Sequence, residues 1–231
     1  MLVIVPAYNE EKSLASLISD INAITDIQLD VLVINDCSID STKALCKHLG
    51  IKTINLPCNL GIGGAVQTGY KYAFENDYDI AIQVDGDGQH DPNYIGSLCE
   101  PLILGNADLV IGSRYIKKEG FQSSQIRRIG ILYFSKLLHI LTGQQITDPT
   151  SGFRACNKKV IGLFSKRYPI DYPEPESIMY LKRNKYVVLE IPVTMKARDG
   201  GKSSITSLKS VYYMVKVSLS ILIDSLRRQI V

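Results

Sequence analysis

The hexapeptide Asp85-Gly86-Asp87-Gly88-Gln89-His90 sets two carboxylates one residue apart, directly after the apolar run Ile80-Ala81-Ile82-Gln83-Val84. A strand that ends in Asp-x-Asp can aim oxygen ligands at a divalent cation carrying a diphosphate. Hard cations such as Mg²⁺ or Mn²⁺ take carboxylate, carbonyl and phosphate oxygens. That combination suits chemistry on a sugar nucleotide. Acids and glycines after a strand also make ordinary solvated turns, so the reading depends on what else the chain brings to the same place.

Up to Arg114 short apolar runs alternate with helical patterns. They predict strands at 2–5, 29–34, 52–55, 80–84 and 108–112, and helices near 11–24, 40–49, 63–76 and 92–104. Continuous apolar strands separated by helices imply a mostly parallel, Rossmann-like sheet covered on both faces, an α/β fold. Beyond Arg114 the alternation fades. There the pattern predicts a helix at about 126–141, a loop through Asp148–Arg154, a short helix near 176–184, a strand at 186–193 and a final helix from about 204 to 228.

Ligands of such sheets bind at the carboxyl ends of the strands. Four segments fall there: Pro6–Glu10, Asn35–Asp40, Asn59–Ala65 and Asp85–His90. Each alone reads as a loop or helix cap, with Asp40 or Ser41 capping the second helix; four on one edge read as a binding site. The glycine segment Gly61-Ile62-Gly63-Gly64-Ala65-Val66 is not a dinucleotide fingerprint. It has valine where the third glycine belongs and follows the third strand rather than the first.

The 231 residues are 45% hydrophobic, enough for one sizeable core, with no linker-like segment. The reading is a domain over 1–203 and a C-terminal helix over 204–231. Residues 1–113 hold 5 Lys and Arg against 15 Asp and Glu, a balance of −10, and residues 114–231 hold 21 against 8, a balance of +13. An acidic half suited to a metal is thus followed by a basic half that attracts polyanions or an anionic membrane face. Nucleic acid is not expected, because no recognised nucleic-acid module is present. The five scattered cysteines include no Cys-x-x-Cys pair, against a disulfide framework or a zinc site and in favour of a reducing cytoplasm. Met1–Val5 breaks at Pro6, too short for a signal-peptide core, and reads as a first strand.

In order and spacing these segments resemble the family 2 glycosyltransferases of the GT-A fold. Asp148-Pro149-Thr150-Ser151-Gly152-Phe153-Arg154 and Arg198-Asp199-Gly200-Gly201-Lys202-Ser203-Ser204 are similar to the branch that glycosylates polyprenyl phosphates, typified by dolichol-phosphate mannosyltransferase. Within it the likeness is strongest to short bacterial enzymes that charge undecaprenyl phosphate with glucose or N-acetylglucosamine. The resemblance implies that Pro6, Tyr8, Glu10 and Asp36 hold the nucleoside. Gly63, Asp85 and Gly86 line the donor, and Asp87 and Gln89 ligate Mg²⁺ or Mn²⁺. Arg114 positions phosphate, while Arg127 or Arg128, with Ser151 and Arg154, receives the lipid phosphate. Arg198 and Lys202 close over the donor diphosphate. Asp87, Arg114 and Arg154 are the expected catalytic group. Two departures stand out: Asn35-Asp36-Cys37 replaces two acids and a glycine, which leaves one acid for the base, and Pro173-Glu174-Pro175-Glu176 occupies the place of a catalytic acid pair.

A sugar hydroxyl needs a general base, whereas a phosphate monoester, with a second pKa of about 6, is already largely dianionic. A phosphate acceptor needs cationic guidance instead, which guanidinium forks supply in two-point contacts. His90 reads as a ligand, a base or a packing residue. Inversion at the anomeric carbon follows from the resemblance alone. Two other readings stay open. One is extension of a saccharide on a sugar hydroxyl, although the Gln-x-x-Arg-Trp of processive members is excluded by the absence of tryptophan. The other is a non-catalytic sugar-nucleotide binder, against which the Asp85, Asp87 and Gln89 set weighs.

Val211–Ile223 is interrupted by Lys216 and followed by Asp224, Arg227 and Arg228, so the last segment lacks the roughly 18 uncharged residues of a spanning helix. It reads as an interfacial amphipathic helix, or as one packed on the domain or in a homo-oligomer. The expected location is peripheral, on the cytoplasmic face of the membrane. The expected partners are the nucleotide-sugar donor, the polyprenyl phosphate, the membrane surface, and either a small membrane protein or a second copy of the chain.

Overall fold

The computed structural model describes residues 1–170, 172–196 and 207–227. Its elements are β1 (Leu2–Ala7), α1 (Leu14–Asn22), β2 (Asp30–Asn35), α2 (Thr42–His48), β3 (Thr53–Asn55), α3 (Gly61–Glu75), β4 (Ile80–Gln83), α4 (Ile95–Ile103), β5 (Leu109–Ser113), α5 (Gln125–Thr142), β6 (Arg154–Asn157), α6 (Lys158–Lys166), α7 (Pro173–Arg183), β7 (Val188–Pro192) and α8 (Ser207–Leu226). The strands form one sheet in the order β3-β2-β1-β4-β6-β5-β7. Every neighbouring pair is parallel except those of β6, which runs antiparallel to both β4 and β5.

Side chains alternate across a strand, so each strand feeds two cores. In β1, Leu2 and Ile4 join Tyr70, Phe134, Phe164 and Leu181 under α3 and α5–α8. Val3 and Val5 join Leu14, Leu17, Ile95 and Leu98 under α1 and α4. Each fully buried aliphatic or aromatic side chain contributes about 1.5–3 kcal/mol relative to exposure. Val217 and Ile221 of α8 are fully buried in the first of these cores, so α8 packs on the domain.

The sequence pattern missed β6 and α6. Strand β6 is only Arg-Ala-Cys-Asn, with polar residues at both ends and no apolar run to mark it. Helix α6 has lysines at both ends, and its buried Val160, Ile161 and Phe164 form a single short stripe. The consequence for the site is topological. A parallel strand ends at the carboxyl edge of the sheet, but an antiparallel one begins there, so β6 carries the preceding segment, Asp148–Phe153, to the edge where β4 and β5 end. The register fixes this, because Gln83 of β4 and Ile111 of β5 both pair with Arg154.

Candidate active site

The first two strand ends are joined by hydrogen bonds between their loops. Asn9 N–H donates to Ser38 Oγ at 3.0 Å, Ile39 N–H to Asn9 Oδ1 at 2.9 Å and Glu10 N–H to Thr42 Oγ1 at 2.9 Å. Asn9 and Cys37 take left-handed φ values of 59° and 60° to make these turns. Asp40, rather than Ser41, caps α2 by accepting from Thr42 N–H at 3.0 Å. Asp36 is buried and accepts from Leu60 N–H at 2.7 Å and Gly61 N–H at 2.9 Å. Its carboxylate therefore ties β2 to the start of α3, where the helix amides favour negative charge. Gly63 is glycine for packing: a Cβ there would lie 2.1 Å from Ile170 O, to which its own N–H donates. Tyr8 stands exposed on the rim.

The β4 end is built around Asp85. Gln83 Nε2 donates to Asp85 Oδ1 at 3.0 Å, and Asp85 N–H donates to His90 Nδ1 at 3.0 Å. The second bond places the His90 proton on Nε2, which faces Asp85 Oδ2 at 3.8 Å. The buried imidazole also stacks on Phe153, with ring centroids 4.8 Å apart. His90 is thus a packing and orienting residue. Gly86 N–H donates to Pro6 O at 3.2 Å and Gly86 O accepts from Ser13 Oγ at 2.7 Å, while Ser13 Oγ also reaches Glu10 Oε2 at 3.0 Å. These contacts join Pro6, Glu10 and Gly86. Asp87, buried, accepts from Gln89 N–H at 3.0 Å, and Gln89 O accepts from Lys196 N–H at 2.9 Å. Lys196 is the last described residue before Arg198 and Lys202, both of which lie outside the described residues.

The segment delivered by β6 closes on Asp85. A Cβ on Gly152 would lie 2.6 Å from Asp85 Oδ2, so only glycine lets the two strands' ends approach this closely. Three residues on this side are engaged by the protein itself. Arg154 is 0% exposed; its Nε donates to Ser151 O at 3.0 Å and its Nη1 to Ser177 Oγ at 3.0 Å and Glu174 O at 3.4 Å. Ser151 is buried too, with Oγ accepting from Phe153 N–H at 3.3 Å. Arg114 forks onto Asp148, with Nε to Oδ2 at 2.6 Å and Nη2 to Oδ1 at 2.8 Å. Burial opposes its charge, but the Asp148 contacts outweigh this and raise its pKa. Arg154 and Arg114 are braces that hold Asp148–Phe153 in place, because protein acceptors occupy the donors a phosphate would need.

Asp148, which the sequence reading quoted in a motif without giving it a role, and Glu190, which it did not single out, complete that brace. Glu190 Oε1 accepts from Asp148 N–H at 2.8 Å and Oε2 from Thr147 N–H at 2.7 Å. The available signal was a carboxylate inside the apolar strand Val188-Leu189-Glu190-Ile191-Pro192. Gln83, a fully buried amide in β4, is the same kind of signal.

Arg127 and Arg128, in the first turn of α5, are exposed cations. Arg127 acts electrostatically on Tyr213, which also feels Glu174, whereas Arg128 acts on Tyr115 beside Arg114. Glu174 opens α7 and is partly buried. Burial raises its pKa to about 7, Arg154 pulls it down and Asp85 adds to the rise.

Among the described residues no three His, Cys, Asp or Glu side chains gather as a metal cage. The donors at the β4 end are hard oxygens from Asp85, Asp87 and Gln89, which fits Mg²⁺ or Mn²⁺ with further oxygens from a diphosphate. They do not fit a soft thiolate-binding metal.

An α/β sheet whose carboxyl edge carries paired acids, closed by the loop of one antiparallel strand, is the architecture of GT-A sugar-nucleotide enzymes. The glycosyl transferase family 2 model matches residues 2–163, so the chain belongs to that family and is a glycosyltransferase. It is 28% identical to the UDP-N-acetylglucosamine–dolichyl-phosphate N-acetylglucosaminyltransferase of Methanococcus voltae, over 96% of this chain and 97% of that one. It is 28% identical to the polyprenol monophosphomannose synthase of Mycolicibacterium smegmatis, over 94% and 85%. Glucosyl-3-phosphoglycerate synthase of Mycobacterium tuberculosis, crystallised with Mn²⁺, UDP and phosphoglyceric acid, shares the fold with a TM-score of 0.72, at 20% identity over 97% of this chain and 77% of that one.

Proposed function

We propose that this enzyme transfers a sugar from a UDP-sugar, glucose or N-acetylglucosamine, to undecaprenyl or a related polyprenyl phosphate at the cytoplasmic membrane face. The observation that carries the reading is the closure of Asp148–Phe153 on Asp85, with Gly152 pressed against the carboxylate. It encloses a phosphate-binding edge without adding an imidazole base, since His90 is engaged with Asp85 and Phe153. Relatives matched over nearly their whole length are named for dolichyl and polyprenyl phosphate acceptors, which favours the same acceptor class here.

Pro6, Tyr8, Glu10 and Asp36 frame the nucleoside, with Asp36 acting through the loop it holds. Asp85 and Gly86 line the diphosphate, and Asp87 and Gln89 are the residues that would hold Mg²⁺ or Mn²⁺. When bound, such a cation offsets the charge of the departing diphosphate. Arg127 or Arg128 meets the acceptor phosphate, whose dianion is the nucleophile without proton removal. Arg198 and Lys202 are assigned to the donor diphosphate by resemblance alone. Exposed apolar residues on α8 at helical spacing, Val215, Leu219, Leu222 and Leu226, and on α5, Ile129, Leu132 and Ile140, favour contact with a membrane surface. No helix among the described residues is long and apolar enough to cross a bilayer.

The test is incubation with radiolabelled UDP-glucose, UDP-N-acetylglucosamine or GDP-mannose and undecaprenyl phosphate, followed by organic extraction. Label in the organic phase supports the acceptor and names the sugar; label only on water-soluble saccharide sinks the reading. One observation favours that second outcome. Glu174, with its pKa at about 7, is poised as a base for a hydroxyl acceptor.

A further inference from the structure

Of the five cysteines, Cys46, Cys99 and Cys156 are buried. Burial pushes the Cys99 and Cys156 thiols up to about 12 and raises that of Cys46, so these three stay protonated and inert. Cys37 is partly exposed and Cys58 is exposed. Both stand on the carboxyl edge of the sheet, in the loops that follow β2 and β3. The pairing of those strands continues into the loops: Leu56 N–H donates to Asn35 O at 2.9 Å, Asn35 Nδ2 to Asn55 Oδ1 at 2.8 Å and Asn59 Nδ2 to Asp36 O at 3.2 Å. Across the gap between them the Cys37 thiol donates to Pro57 O at 3.9 Å. That carbonyl belongs to the peptide bond that leads into Cys58, so the Cys37 sulfur lies within about 7 Å of the Cys58 Cα. Rotation of the exposed Cys58 side chain and a small shift of its loop bring two sulfurs this close within disulfide reach.

The backbone at Cys37 is a second, independent sign. Its φ of 60° is left-handed, which a residue with a Cβ adopts at a cost and glycine adopts freely. Strain of this kind collects at functional positions, and the turn alone would be better served by glycine. We propose that Cys37 and Cys58 are a thiol pair that hydrogen peroxide closes to a disulfide across the nucleoside edge. The exposed Cys58 thiolate attacks a peroxide oxygen, the O–O bond breaks, and Cys58 sulfenic acid and water form. The Cys37 thiolate then attacks the Cys58 sulfur, the S–S bond forms and the oxygen leaves as a second water. The two sulfurs give up two electrons and the peroxide takes them. In a reducing compartment such a bridge is transient, as a sensor requires. It would draw in the loop that carries Asp36, whose carboxylate holds the Leu60 and Gly61 N–H groups at 2.7 and 2.9 Å. That consequence rests on the donor reading of this edge; the thiol pair does not.

The test treats full-length protein with hydrogen peroxide, maps its non-reduced peptides by mass spectrometry, and titrates UDP in the presence of Mn²⁺ before and after. A bridge between Cys37 and Cys58 is expected. UDP affinity should fall about 10-fold, the loss of roughly one hydrogen bond, and return with dithiothreitol. Cys58→Ser and Cys37→Gly should bind UDP as the reduced wild type does and ignore peroxide; the second also relieves the left-handed turn. A bridge to Cys46, Cys99 or Cys156, or oxidation of Cys58 to the sulfinic acid with no bridge, overturns the proposal. So does equal peroxide sensitivity of UDP binding in Cys58→Ser and the wild type. A mapped bridge with unchanged UDP affinity overturns its control of the donor. Failure of the reduced wild type to bind UDP would strike the functional reading and leave the peptide map to decide the thiol pair.

Discussion

The contact between Gly152 and Asp85 is the most demanding point of the site, and Gly152→Ala tests it with one methyl group. The added Cβ would meet Asp85 Oδ2 at 2.6 Å, Gln83 Nε2 at 3.0 Å and Asp85 Oδ1 at 3.1 Å. Contacts below 3.0 Å are essentially never seen for real Cβ atoms, so the pair must separate by roughly 0.5–1 Å to reach ordinary van der Waals distance. Asp85 cannot rotate away without losing the Gln83 bond at 3.0 Å. Displacement of a reacting group by about 1 Å costs on the order of 100-fold in rate, whereas overpacking of this size costs about 1–3 kcal/mol of stability. Gly152→Ala should therefore fold and fall about 100-fold in kcat/KM for sugar transfer, with a Tm loss of about 2–12 °C. Gly96→Ala is the control, because nothing lies within 4 Å of a Cβ at that helical position. It should retain activity and gain up to about 1 kcal/mol from helix propensity. Wild-type activity in Gly152→Ala would refute the idea that the β6 loop positions Asp85.

Asp87→Ala should leave a folded protein with transfer at least ~100-fold slower, since one lost charge-stabilising group costs about 3 kcal/mol in the transition state; undiminished wild-type turnover in EDTA would count against a metal. Arg127→Ala should raise the acceptor KM about 10- to 150-fold, more than Arg128→Ala and with little effect on the donor KM, because Arg127 and Glu174 both act electrostatically on Tyr213; equal effects on both substrates would remove the assignment. Glu174, raised by burial from 4.5 to about 7, contributes stability that is present below pH 4.5 and lost as pH rises through 7, up to roughly 3 kcal/mol. Glu174→Gln should flatten the fall in Tm between pH 5 and 8, and an unchanged pH profile of stability would refute the burial argument. The same variant separates the acceptors: activity at pH 8 should survive with a phosphate acceptor and collapse with a hydroxyl one.

The first half of the fold was legible in the sequence because each strand carries an apolar run bounded by a helix pattern. Those runs located β1 to β5 within a few residues, and with them the edge that holds Asp36, Asp85 and Asp87. The second half was legible only where apolar periodicity survived, in α5, α7, β7 and α8. Strand β6 was hidden because four residues between two strands need no hydrophobic run of their own: Ala155 and Cys156 are buried by neighbours on both sides. Missing β6 meant misreading the arginines. A motif read as a loop leaves Arg154 free to receive a phosphate and Arg114 free to position one. An antiparallel strand starting at Arg154 places that guanidinium in the core and leaves Arg114 to be neutralised by Asp148. Burial decides between brace and receptor, and it depends on pairing that spacing along the chain does not encode.

The charge asymmetry of the chain then acquires a structural meaning. The acidic half supplies β1 to β5 and the carboxylates at their ends, and the basic half supplies β6, β7 and the helices α5 to α8. The halves interleave in the sheet, with β6 between β4 and β5 and β7 beside β5, and at the β4–β6 line Gln83 and Arg154 are register partners. A donor carrying a cation and a diphosphate is matched to the first half, and a phosphate acceptor to the second. Two polyanions approach each other only if positive charge stands between or around them. The innermost of those charges, on Arg154, is fixed without a carboxylate among its hydrogen-bond partners: it is held by the Ser151 and Glu174 carbonyls and the Ser177 hydroxyl. A guanidinium held by neutral acceptors keeps its field unneutralised, and at low local dielectric that field extends to Glu174, Tyr168 and Tyr70. If that field assists a phosphate acceptor across the wall of the site, Arg154→Met should slow transfer although the side chain is buried; unchanged kcat/KM in a folded Arg154→Met variant would refute it.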